Sequence, residues 1–140
     1  MILTPRFLAK LTEKVMYQYM LNWLPDLYDN NLDDEFAPID WYSPSTGMWI
    51  EYKQRHKHFV GLTLERKKYN QLIQKEKSYY LNSTPEGIYF WCIQEMDANP
   101  IFTIRSMNKT TDFGNTDDID KWQTEMYVGK SWGIEQLIFK

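Results

Sequence analysis

Residues 39–53 of this 140-residue chain, IDWYSPSTGMWIEYK, contain the clearest structural signal in the sequence. Two strand-like runs, 39–43 and 48–55, flank a Pro-Ser-Thr-Gly tetrapeptide whose residue types favour a turn. The segment therefore predicts a β-hairpin. Because successive side chains of a strand point to opposite faces, Glu51 and Lys53 share one face of the second strand, while Ile50 and Tyr52 share the other.

Charged side chains are placed on both strands of this hairpin. Asp40 lies in the first predicted strand, and Glu51-Tyr52-Lys53 follows after ten residues. Strand pairing brings the two carboxylates and the ammonium into one small volume. Neighbouring carboxylates repel each other and are stabilised by a cation, and hard oxygen ligands suit Mg²⁺, which also binds phosphate oxygens. The spacing predicts a divalent metal site beside a lysine that orients water or neutralises charge on a phosphate.

The charges of the chain are segregated along the sequence. The formal net charge is -3, which by itself argues against a polyanionic partner. Residues 53–77, however, contain eight Lys or Arg against two Glu, a local charge of +6, whereas residues 25–40 carry six acids and no Lys or Arg. A local basic patch matters more than net charge for attracting a nucleic acid. The charge pattern therefore does not exclude a DNA partner.

Helices are predicted on both sides of the hairpin. Thr4 and Pro5 open an amphipathic helix that ends at Pro25, and residues 26–38 form an acidic, mobile connection. Thr63 caps a second helix over residues 65–80, which ends ahead of breakers at 85 and 87. The later predicted elements are a central strand at 87–94 buried on both faces, a strand at 101–105, a loop at 108–118, and two weaker strands at 122–128 and 134–139.

Length and composition suit a single domain over residues 1–140. A single cysteine, Cys92, excludes an internal disulfide framework and a four-cysteine zinc site. No apolar run approaches the ~18 residues of a membrane span, and residues 1–14 lack the pattern of a secretion signal. We therefore expect a cytoplasmic protein without a membrane partner.

Asp40 and Glu51-Tyr52-Lys53, on a hairpin between two helices and ahead of a buried strand, resemble the PD-(D/E)XK nuclease superfamily over residues 4–94. That superfamily includes restriction endonucleases, phage endonucleases and archaeal-type Holliday junction resolvases, and this short chain resembles its small phage-encoded members. The resemblance implies an α/β fold with a restriction-endonuclease-like αβββαβ core, in which helices flank a central mixed sheet. A second Glu-x-Lys triplet, at 65–67, opens a predicted helix instead of lying in a strand, so we do not assign it to the site.

The resemblance also implies an activity and residue roles. It implies a Mg²⁺-dependent endodeoxyribonuclease, with Mn²⁺ as a substitute metal. By analogy the metal residues are Asp40, Glu51, the Tyr52 carbonyl and Glu13, which matches an accessory acidic position. Asp40 and Glu51 are also catalytic, together with Lys53 as the catalytic lysine. Related enzymes often dimerise, so a homodimer is a further expectation. The basic residues expected to contact DNA phosphates are Arg55, Lys57, Lys67 and Lys68.

Two alternatives stay open at this point. The chain could be a non-catalytic module that keeps a nuclease-like fold and binds nucleic acid or a protein through its basic helix and aromatic residues. It could also be an unrelated α+β structural protein in which the motif is accidental and the charged residues are solvated surface. Asp40 and Glu51 carboxylates that converge, with Lys53 alongside, favour the metal site, and carboxylates that point apart remove it.

Overall fold

The computed structural model of the protein describes residues 4–96, 103–108, 118–127 and 130–131. Its helices are α1 (Pro5–Leu8), α2 (Glu13–Met20) and α3 (Arg66–Ile73). Its strands are β1 (Tyr28–Asp29), β2 (Trp41–Ser43), β3 (Met48–Gln54), β4 (Gly61–Glu65), β5 (Ser78–Thr84), β6 (Gly87–Cys92), β7 (Thr103–Asn108) and β8 (Asp118–Tyr127). Short 3₁₀ turns lie at Asn30–Leu32 and Ile93–Glu95.

The main sheet has the strand order β1-β2-β3-β5-β6 and is mixed. Strands β3 and β5 are parallel, and the other neighbours are antiparallel. Parallel neighbours need a crossover connection, which β4 and α3 supply. The order α2-β2-β3-β4-α3-β5 is the predicted αβββαβ succession, although its third strand, β4, belongs to a second, antiparallel sheet with the order β4-β8-β7.

Hydrophobic clusters cover both faces of the main sheet. One cluster contains Met16 and Met20 of α2 together with Ile50 of β3. The other contains Leu72 of α3 and Leu64 of β4. Helices therefore flank the mixed sheet on both faces, as predicted. The hairpin is also confirmed, since β2 and β3 pair antiparallel and Met48, Ile50 and Tyr52 are buried while the intervening residues are half-buried.

The predicted helix over residues 4–24 is in fact two helices. The Thr4 hydroxyl accepts a hydrogen bond from the Phe7 amide at 3.1 Å, and the Thr12 hydroxyl accepts one from the Val15 amide at 3.3 Å. Each threonine caps its own helix. The amphipathic spacing continues across both helices, so it gave no sign that a second helix begins after Thr12. Helix α2 ends at Met20, before the predicted end at Pro25.

The second helix is shorter than predicted, and Thr63 is not its cap. Thr63 lies in β4, Glu65 takes the N-cap position, and α3 ends at Ile73. The following residues enter β5, whose alternate side chains pack on opposite faces of the sheet. Tyr79 joins the cluster under α2, and Tyr80 joins the cluster under α3. A strand buried on both faces has no polar side to reveal its period of two, so residues 78–80 resembled a continuation of the helix.

The later elements follow the prediction in part. Strand β6 is buried along nearly its whole length, but it ends the strand order of the main sheet and is not central. The predicted strands at 101–105 and 122–128 are confirmed over the residues that the structure describes, 103–105 within β7 and 122–127 within β8. Most of the predicted loop at 108–118, and the predicted strand at 134–139, lie outside the described residues. Within the described ranges, no helix has the length and apolar character needed to cross a membrane.

Candidate active site

Asp40 and Glu51 meet at the end of the β2–β3 ladder. The last backbone pair of that ladder is Trp41 with Ile50, so Asp40 directly precedes β2 instead of lying inside it. The Asp40 amide donates to Glu51 Oε1 at 3.2 Å, and the Tyr52 amide donates to Asp40 Oδ2 at 3.0 Å. Each carboxylate thus accepts a hydrogen bond from a backbone amide of the other side of the hairpin. The predicted approach of the two carboxylates within metal-bridging distance, with Lys53 alongside, stays a prediction.

Glu13 joins this pair through an asparagine. The Asn31 side-chain amide donates to Glu13 Oε1 and to Asp40 Oδ1, both at 3.0 Å. Asn31 is itself fixed in a 3₁₀ turn, where its backbone amide donates to Asp29 Oδ1 at 3.0 Å. Residues 26–38, predicted as an acidic, mobile connection, contain a short strand and a capped turn that orients the site.

Burial and mutual repulsion disfavour the charged forms of the carboxyl groups at this site. Burial, followed by the neighbouring Asp40 carboxylate, raises the pKa of Glu51 to about 8, even though Lys68 acts in the opposite direction. Burial, followed by Asp40 and then Asp29, raises the pKa of Glu13 to about 7. Such shifts mark carboxyl groups that would be stabilised by an added cation.

The ammonium that contacts Glu51 belongs to Lys68 of α3. Its Nζ lies 3.3 Å from Glu51 Oε2, and it also donates to the Pro38 carbonyl. The two side chains are largely buried, with exposed fractions of 24% for Lys68 and 16% for Glu51. Lys68, expected at a DNA phosphate, is therefore placed inside the carboxylate cluster. Lys53 lies two residues beyond Glu51 on the same face of β3, half-buried and in register with Asn82 of β5.

Tyr52 contributes its backbone to the site and its side chain to the core. Its amide binds Asp40, whereas its hydroxyl contacts the Leu11 carbonyl and lies 2.6 Å from Ser83 Oγ. Burial raises the pKa of this phenol to about 12. The hydroxyl is therefore a structural group, and the metal-binding role expected of the Tyr52 carbonyl stays a prediction.

The other basic residues expected at DNA are separated from this cluster. The Arg55 guanidinium donates to Asn82 Oδ1 at 2.8 Å, to the Tyr80 hydroxyl at 3.0 Å and to the Thr63 carbonyl. Most of its hydrogen-bonding capacity is thus used inside the protein. Lys57 and Lys67 are exposed, as a phosphate contact requires.

The donor set suits an ion such as Mg²⁺, which needs few protein ligands, but it does not form a complete metal-binding cage. Among the residues that the structure describes, no three His, Cys, Asp or Glu side chains form a group that could hold a metal as they stand. Mg²⁺ needs only one or two carboxylates and keeps several waters, and Asp40 and Glu51 meet that requirement. Their oxygens are at present bound by Asn31, Lys68 and backbone amides, so an ion must displace side-chain donors.

Sequence reasoning missed the roles of Asn31 and Lys68. No spacing rule points to Asn31, because its position depends on the fold of residues 26–38. Lys68 did leave a signal: it lies four residues before the buried Leu72, and residues four apart share a face of a helix. That spacing turns Lys68 toward the protein.

Comparisons with known proteins agree with this architecture. No protein-family model matches the chain, and no curated protein matches it either. Among solved structures, it is similar to Hjc, a Holliday junction resolvase from the archaeal hyperthermophile Archaeoglobus fulgidus, with a TM-score of 0.53 and 13% sequence identity over 91% of this chain and 95% of that one. At this identity the likeness concerns the fold. The mixed sheet flanked by helices and the likeness to this resolvase show that the chain has a restriction-endonuclease-like α/β fold.

Proposed function

We propose that this protein is a metal-dependent endonuclease that hydrolyses phosphodiester bonds of DNA. The observation that carries the proposal is the pair of interstrand contacts that join Asp40 and Glu51 at the edge of the β2–β3 hairpin. The fold agrees with it, because Hjc, which shares this fold, is a Holliday junction resolvase. An unrelated α+β fold, the third alternative raised by the sequence, is ruled out by the same likeness.

The proposed metal ligands are the carboxylates of Asp40 and Glu51 and the carbonyl of Tyr52, with Mg²⁺ as the ion and Mn²⁺ as a substitute. The raised pKa values of Glu51 and Glu13 support a cation at this point, since the protein's own donors leave the acids undercompensated. When bound, a divalent ion polarises the phosphodiester and acidifies a water molecule. Glu13, which lies within hydrogen-bonding reach of Asp40 and is also bridged to it by Asn31, is a further proposed metal ligand.

The two lysines are proposed to have different roles. Lys68 contacts Glu51 in the metal-free protein and would leave it on ion binding, because the ammonium and the metal would compete for the same oxygen. Lys53, on the Glu51 face of β3, neutralises charge that develops on the phosphate. Lys57 and Lys67 contact the DNA backbone, where basic residues supply salt-dependent affinity.

A nicking assay tests this proposal. Supercoiled plasmid and a four-way DNA junction are incubated with the protein and Mg²⁺ or Mn²⁺, and variants Asp40→Asn, Glu51→Gln and Lys53→Ala are compared with the wild type. We expect a loss of at least 100-fold in each, the size typical of removing one group that stabilises developing charge. Glu65→Gln, in the second Glu-x-Lys triplet, is the matched control and should cut normally. Cleavage that survives in all three variants would assign the activity to another site or to a contaminant.

A second candidate is a non-catalytic binding module with the same fold. The contact between Lys68 and Glu51 favours it, because a protein side chain already occupies the place of a cation. The two functions separate cleanly in the same assay. DNA binding without cleavage by the wild type, under any divalent metal, supports the binding module and contradicts the nuclease.

The proposed homodimer rests on the resemblance to related enzymes, whereas the cytoplasmic location is an expectation from the sequence. Sedimentation velocity of the purified chain, with and without junction DNA, tests the first. A single monomeric species in both conditions contradicts a homodimer, whereas a species of twice the mass supports it.

A further inference from the structure

The loop between β3 and β4 borders a groove that the proposed catalytic site does not use. The groove has a volume of about 590 Å³ and is lined by residues of this loop and of strands β4 and β8. We refer to it as the loop groove and define it by Lys57, Phe59, Val60, Gly61, Thr63 and Glu125.

The loop is fixed to the main sheet at two points. The Arg55 amide donates to the Ser83 carbonyl at 2.7 Å. Further along, His58 Nδ1 lies 2.9 Å from Thr84 Oγ1, and its ring lies 5.6 Å from the ring of Tyr89. With Arg55 and His58 anchored, the residues next to them are presented outward on a supported loop.

Those outward residues combine an aromatic ring with positive charge. Phe59 is 59% exposed and Val60 is 67% exposed, beside the exposed Lys57. An exposed aromatic side chain is a surface on which a nucleic-acid base stacks, and a neighbouring lysine binds the phosphate. Of the basic residues of segment 53–77, Lys57 is exposed beside Phe59, whereas Arg55 and Lys68 are engaged inside the protein.

Glu125 adds a hydrogen-bond acceptor to the groove. Glu125 of β8 is in register with Thr63, next to Gly61, where a Cβ atom would lie 2.9 Å from Glu125 Oε2. A side chain in place of Gly61 would crowd the carboxylate. A carboxylate accepts hydrogen bonds from N–H groups on base edges, which a bare phosphate-binding patch would not require.

We propose that the loop groove binds an unpaired nucleotide of a DNA strand, with its base against Phe59 and its phosphate against Lys57. Paired bases keep their faces inside the stack, so this mode selects single-stranded or branched DNA. The proposal rests on and deepens the proposed nuclease function, since the groove lining begins at Arg55, directly after the strand β3 that carries Glu51.

Binding of labelled oligonucleotides in EDTA tests this site without cleavage. Fluorescence anisotropy compares dT12 with a 12-base-pair duplex, and 2-aminopurine in the single strand reports stacking. Phe59→Ala should weaken dT12 binding about tenfold, the size of one lost base–aromatic stack, and reduce the 2-aminopurine quenching. Phe59→Trp should retain both. Lys57→Ala should lower the salt dependence of binding by about one phosphate contact.

Phe36→Ala is the matched control, because Phe36 is 82% exposed but lies in the acidic segment 26–38. It should bind as the wild type does. The proposal is overturned if the wild type does not bind dT12, if Phe59→Ala binds it unchanged, or if Phe36→Ala loses as much. Tighter binding of rU12 than of dT12 would overturn the assignment to DNA. Because binding is measured in EDTA and does not require cleavage, failure of the nuclease proposal leaves this result readable.

Discussion

Replacement of Glu51 by glutamine should stabilise the metal-free protein, and increasingly so as pH rises. Glu51 is a buried carboxyl beside Asp40, and its pKa is raised from 4.5 to about 8. A raised pKa in an acid means that the folded state disfavours the charged form. Stability is therefore intact below pH 4.5 and decreases as pH rises through the window from 4.5 to 8.

The size of the effect follows from the two pKa values. Each pH unit of difference is worth about 1.36 kcal/mol, so this carboxyl lowers the stability of the folded protein by about 3 kcal/mol at pH 7 and about 4 kcal/mol at pH 8, relative to low pH. The pKa of about 8 already includes the opposing effect of Lys68. We therefore expect Glu51→Gln to gain about 3 kcal/mol at pH 7.

Urea unfolding followed by tryptophan fluorescence, in EDTA at pH 5 to 8, measures this difference. The gain of Glu51→Gln over the wild type should grow by about 3 kcal/mol between pH 5 and pH 8. Glu35→Gln, which removes an exposed carboxylate, is the control and should show no such trend. A gain that does not change with pH, or a variant less stable than the wild type throughout, would refute the inference that the folded protein disfavours the charged form of Glu51.

Three further perturbations probe other contacts. Lys68→Met should tighten Mn²⁺ binding several-fold in calorimetry, because the ammonium 3.3 Å from Glu51 competes with the ion; equal or weaker binding contradicts this role. Arg55→Lys should lower the unfolding free energy by about 2 kcal/mol in urea, since lysine cannot reproduce the forked contacts that include Asn82; an unchanged midpoint argues against that network. Gly47→Ala should cost about 1 kcal/mol in the same assay, because φ is +74° at this hairpin residue, and an unaltered stability would show that the turn relaxes freely.

The hairpin and its two carboxylates were predictable because their signals are local. A turn tetrapeptide and a period of two fix which residues of 39–53 face the core, and strand pairing then brings Asp40 and Glu51 together. The αβββαβ order followed from the resemblance that this motif carries. The position of Asp40 relative to Glu51 depends on the pairing of two adjacent strands, so contacts between distant segments were not needed to predict it.

The missed features depend on contacts between distant segments. Tyr79 and Tyr80 pack on opposite faces of β5 against clusters formed by α2 and α3, which no local pattern encodes. Asn31 reaches Glu13 and Asp40 only because residues 26–38 fold into a turn above the hairpin. A basic run at 66–68 was interpreted as a DNA-binding face, although the helix turns one of its members toward Glu51.

Asp40 and Glu51 are proposed to form a divalent metal site, and calorimetric titration with Mn²⁺ tests this proposal most directly. The wild type should show saturable binding, and Asp40→Asn and Glu51→Gln should each weaken it at least tenfold. Asp34→Asn, an exposed acid of the neighbouring loop, should bind as the wild type does. Absence of saturable binding to the wild type, or unchanged affinity in Asp40→Asn, would contradict the account.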